Sequence, residues 1–133
     1  MAAPTPTTYS RQVGHHGFTI WSGLWAGTGD FTAEALIDVS ALAEGYTNTV
    51  KLKRLRMQTT TGISALLEFD ATTNQFIAKS SLGNIDDIDI DFTNNTDHGL
   101  VKTAAGSTGD IVLTTLSAAA ADEVTIYLWW YAN

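Results

Sequence analysis

Apolar and polar positions alternate most sharply near the end of the chain, in Val124-Thr-Ile-Tyr-Leu-Trp-Trp-Tyr131. Successive side chains of a strand point to opposite faces. Val124, Ile126, Leu128 and Trp130 therefore share one side, and Thr125, Tyr127, Trp129 and Tyr131 the other. Both sides are apolar or aromatic. One can close a core, and the other needs a second covering surface. Aromatic side chains bury roughly 150–250 Å² each, so bare Tyr127, Trp129 and Tyr131 would expose about 450 Å² or more. Covering them contributes on the order of 10 kcal/mol gross at about 25 cal/mol per Å². The expected cover is the chain's own N-terminal segment, a sister subunit or a foreign partner.

The remaining pattern predicts strands separated by turn-rich connections. Residues 1–16 hold both prolines, Pro4 and Pro6, with several threonines and no apolar period, which predicts an extended arm before a single domain over 17–133. Gly17–Trp21 predicts a first strand, and the glycine-rich loop after it carries Leu24 and Trp25, expected to plug an end of the core or meet a partner. Phe31–Val39 predicts a strand, followed by a short helical turn capped by Asp38 or Ser40 and ended by Gly45. Thr49–Thr61 changes phase between Val50/Leu52 and Leu55/Met57, which predicts a bulge near Lys53-Arg54. Ile63–Asp70 and Gln75–Ser80 form the clearest hairpin, with Ile63, Ala65, Leu67 and Phe69 inward. Further strands are expected at Ile85–Phe92, Leu100–Thr103 and Asp110–Leu116. About eight strands without helical period or βαβ alternation predict an all-β, two-sheet sandwich of jelly-roll or Greek-key type.

Composition narrows the function classes. A chain of 133 residues with 44% hydrophobic content can bury a core unaided. It has no cysteine, which removes disulfides, thiolate metal sites and a cysteine nucleophile. A net charge of −7 argues against nucleic acid as a partner, and no apolar run reaches the roughly 20 residues of a membrane span. The N-terminus lacks the basic and apolar regions of a signal peptide.

Two charged stretches invite chemistry. Asp87, Asp89 and Asp91 alternate along one strand face, where they can line a surface or sit at a subunit junction around a divalent cation, but cannot wrap an ion alone. A solvated face or an ion-pair ladder is the preferred reading. Lys51, Lys53, Arg54 and Arg56 are four of the seven basic residues and are expected to pair with those aspartates, across strands or between subunits, in preference to binding a polyanion. His15 and His16 point to opposite faces of an extended chain, a poor metal pair, and His98 sits beside Asp97 in a turn. No nucleophile elbow, phosphate loop or dinucleotide fingerprint occurs, so no enzyme activity, cofactor or metal is expected.

The extended Pro/Thr arm, the cysteine-free acidic sandwich rich in Thr, Ala and Gly, and the terminal aromatic strand together resemble the small decoration, or cement, proteins of tailed-phage capsids. The resemblance covers the full length without a specific motif, so no family residue is carried over. It implies a viral structural protein made in the host cytoplasm and found on the virion. It would be a homo-oligomer, a trimer favoured, bound to the major capsid protein on the outer shell and clamping it against internal pressure. Under that reading Tyr127, Trp129 and Tyr131 with the Lys/Arg and Asp faces form the subunit interface. Pro4, Pro6, Tyr9, Trp21 and Trp25 are then candidate partner contacts. The alternative is a carbohydrate-binding or receptor-binding sandwich of fibre-head type, with Trp21 and Trp25 stacking on sugars.

Overall fold

The computed structural model describes residues 3–42, 50–81, 83, 86–93, 99–103 and 105–133, with Asp86 described in its backbone alone. Among the described residues nine strands follow in order: β1 (Thr7–Val13), β2 (His16–Leu24), β3 (Glu34–Ile37), β4 (Val50–Thr59), β5 (Ser64–Phe69), β6 (Gln75–Lys79), β7 (Asp86–Asp91), β8 (Ile111–Leu116) and β9 (Glu123–Ala132). They build two antiparallel sheets, β1-β2-β9-β4-β7 and β3-β8-β5-β6, in a β-sandwich-like all-β fold. Among the described residues the only helix is one 3-10 turn, Val39–Ala41, capped by Asp38, whose carboxylate accepts from the Ser40 amide. The expected Gly45 stop and the His98 turn lie outside the described residues. Among the described residues no helix is long and apolar enough to cross a membrane.

The core forms where the inner faces meet. Val124, Ile126, Leu128 and Trp130 of β9 are all buried, as their alternation requires, in one core cluster with Ala65, Leu67 and Phe69 of β5 and Ile63 just before it. β9 lies between β2 and β4, so its aromatic outer row runs down the middle of the five-stranded sheet. In β4 the register with β9 shifts between Leu52 and Arg54, and Lys53 is the inserted residue. That bulge lets Val50/Leu52 and Leu55/Met57 point inward together. The β5–β6 hairpin forms as expected, its turn held by Asn74 Oδ1 accepting from the Ala71 amide at 2.9 Å.

Three expectations need correction. Thr7–Val13, read as part of an extended arm, is an edge strand paired with β2 along its whole length, and the described residues before it, 3–6, carry no strand. The Gly14-His15 turn makes that hairpin possible, with Gly14 at φ +60° in the first central position. Leu100–Thr103 is not a strand; Leu100 makes a single bridge to Leu52, opposite the β4 bulge. The strand expected over Phe31–Val39 shrinks to Glu34–Ile37, because Ala33 turns to a left-handed φ of 49° and Phe31 enters the core from a loop.

Candidate functional site

β-Strand registry fixes which side chains share the outer face of the five-stranded sheet. Tyr127 lies opposite Ile20 on β2 and Arg56 on β4, Trp129 opposite Phe18 and Arg54, and Tyr131 opposite His16 and Lys51. β1 extends the row with Tyr9 opposite Ile20, Arg11 opposite Phe18 and Val13 opposite His16. The aromatic stripe is half-buried by its neighbours. Phe18 and Trp129 rings lie 5.1 Å apart, Tyr127 stacks on Trp129 at 6.2 Å, and the Arg54 guanidinium sits 4.9 Å over the Trp129 ring. His15 stacks on Tyr131 at 5.1 Å, its Nδ1 2.8 Å from the Ala132 carbonyl oxygen. Flanking residues thus cover part of what β9 presents, and the rest faces outward with Tyr9 (55% exposed), Val13 and Leu24 (both 65%).

A shallow depression of about 290 Å³ opens on this face. Its walls are Tyr9, Arg11 and Val13 of β1, His16 and Phe18 of β2, Lys53 of β4 and Trp129 of β9. Tyr9 was named from the sequence, but Arg11 and Val13 were missed because an edge strand exposed on both sides carries no apolar period to detect.

The charged rows settle inside one chain. Arg54 donates to Asp89 through Nε at 2.9 Å and Nη2 at 2.7 Å, and Arg56 to Asp87 at 3.3 and 3.2 Å. These bidentate pairs run diagonally, since Arg54 faces Asp91 and Arg56 faces Asp89 in the register. Asp91 does not join the ladder; its carboxylate accepts from the Thr93 amide and hydroxyl two residues on. Lys53 also departs from the expected pairing, its Nζ lying 3.0 Å from His16 Nδ1 on β2. The hydrogen bond from Arg56 holds the Asp87 carboxyl below its ordinary value, that from Arg54 does the same for Asp89, and Thr93 lowers Asp91. Arg54 and Arg56 are raised by the same pairs.

A lowered carboxyl stabilises the fold above the ordinary value of 3.8 and loses that contribution as the pH falls through the folded value. Acid unfolding from about pH 4 to about pH 2 is therefore expected to be shallower in an Asp87→Asn/Asp89→Asn variant than in the parent. Urea midpoints measured across that range test this, and parallel curves would show that the exposed ladder adds nothing to stability.

Trp21 and Trp25 are not partner contacts. They are 1% and 2% exposed, and both meet Phe31 edge-on at 5.3 and 5.7 Å. Trp25 Nε1 donates to the Gly29 carbonyl at 2.8 Å, which seals the end of the core. Neither ring can therefore serve as a sugar platform. Pro4 and Pro6 are half-buried just before β1, while Tyr9 stands out from it. Among the described residues no group of three or more His, Asp or Glu side chains could hold a metal ion. No family model, curated protein or solved structure matches this chain.

Proposed function

We propose that this protein is a viral structural protein of the capsid-decoration type, which docks on the outer shell as a homo-oligomer and works by covering surface, not by catalysis. The observation that carries this reading is the outer face of the five-stranded sheet, where Phe18, Ile20, Tyr127, Trp129 and Tyr131 stand only half-covered, with Tyr9, Val13 and Leu24 exposed beside them. A contiguous apolar surface of this kind marks an interaction site. The strand order adds support. Counted from β2, with β1 appended at an edge, the orders β2-β9-β4-β7 and β3-β8-β5-β6 support the jelly-roll type expected from the sequence. The resemblance noted from the sequence favours three copies and a major capsid protein as partner, with the virion surface as the location.

Two measurements test the reading. Sedimentation equilibrium is expected to give more than one copy per particle at micromolar concentration. The protein is also expected to pellet with shells stripped of their outer protein. A monomer that stays in the supernatant would end the proposal.

A further inference from the structure

The two ends of the outer face differ in kind. At one end Leu24 of β2 lies opposite Glu123 of β9, an exposed apolar knob beside an exposed carboxylate. At the other end is the depression, floored by Phe18 and Trp129 and flanked by Arg11 and Lys53. Neither Arg11 nor Glu123 forms an ion pair among the described residues, whereas Arg54 and Arg56 are held by Asp89 and Asp87. The knob is acidic and apolar, and the depression is basic and aromatic. Within one copy they cannot meet: Leu24 and Phe18 are six residues apart on one strand, about 20 Å.

We propose that this face docks a second copy of the chain about a twofold axis, with Leu24 and Glu123 of each copy seated in the Arg11–Lys53–Trp129 depression of the other. The inference rests on the homo-oligomer reading above and gives it a symmetry. An axis crossing the strands between Ile20 and Ser22 keeps β2 and β9 of one copy over β2 and β9 of the other and reverses their direction. Each knob then lies over a depression, and the half-covered Ile20 and Tyr127 meet near the centre. The face spans about 19 Å across five strands and about 30 Å along ten residues, roughly 600 Å² in projection. Side-chain relief brings it near the roughly 800 Å² per partner of a stable interface. A surface that docks on itself face to face closes at two copies, and the three-copy expectation rests on the resemblance alone.

Charge reversal tests the contact in the full chain. Glu123→Arg and Arg11→Glu are each expected to raise the dissociation constant about tenfold or more, and the double variant to return it to within about threefold of the parent. Both substituted side chains are exposed, so the fold itself should be kept, read as an unchanged far-ultraviolet circular dichroism spectrum. A second arm uses the absence of native cysteine. Oxidised Leu24→Cys/Phe18→Cys protein should give covalent dimers and no longer polymers, since the two positions are too far apart to bridge within one copy. Trimers in solution would overturn the twofold while leaving the homo-oligomer reading intact. Dimers indifferent to the charge reversals, or without the cross-link, would overturn this contact alone. A monomer would overturn both.

Discussion

Trp130→Ala is expected to destabilise the protein by about 3–5 kcal/mol, read as a lower urea midpoint with an unchanged slope. Trp130 is fully buried on the inner face of the central strand, and its ring lies directly over Gly17. A Cβ placed on Gly17 would come within 2.1 Å of that ring, so the two positions are matched in size: the largest side chain faces the residue with none. Removing the ring leaves a cavity that the neighbouring backbone cannot close. It also takes the indole N–H from Thr19 Oγ1, which accepts from it at 3.0 Å and lies 2.9 Å from Ser10 Oγ on β1. Losing this link should loosen β1 first, so amide exchange in Thr7–Val13 is expected to quicken in the variant. A midpoint shifted by less than about 1 kcal/mol would mean that the strand stack does not depend on this ring.

Trp129→Ser, one residue earlier, is expected to leave the fold in place and weaken self-association by roughly 30-fold or more, about 2 kcal/mol. Trp129 sits on the opposite face from Trp130, half-covered by Phe18, Tyr127 and Arg54, and forms a wall of the depression. Large aromatic side chains that meet a partner in a desolvated pocket carry a disproportionate share of binding. Sedimentation equilibrium measures the change, and thermal melting in parallel separates it from loss of fold. An unchanged dissociation constant would remove the outer face from any account of assembly. The adjacent pair Trp129 and Trp130 thus divides the two roles of β9, one ring for association and one for folding.

The strand alternation that defines β9 could be read without coordinates, because a fully apolar inner row and an aromatic outer row leave no other arrangement. The β4 bulge was legible for a related reason: Val50/Leu52 and Leu55/Met57 cannot both face inward unless one residue is skipped. Trp21 and Trp25 were ambiguous, since burial depends on Phe31 arriving from a distant loop, and no local pattern reports that contact. β1 escaped notice because Thr7–Val13 pairs through its backbone and buries little. The depression escaped with it, since it joins residues from four strands that only the pairing order brings side by side. The choice of Asp87 and Asp89 for Arg56 and Arg54, with Asp91 left to Thr93, depends on the diagonal lean of long side chains across a twisted pair.

The position of β9 between β2 and β4 has a kinetic consequence. Trp21 waits for Ile126 and Leu55 for Leu128, so the middle of the larger sheet cannot zip until the last strand has been translated. Topologies dominated by such distant pairings fold slowly, and their unfinished states expose apolar strand edges. On the ribosome the β5–β6 hairpin can form early, while β2 and β4 hold their inner residues open. A nascent chain stalled before Glu123 should therefore be a better client for a holding chaperone than a released chain that includes β9.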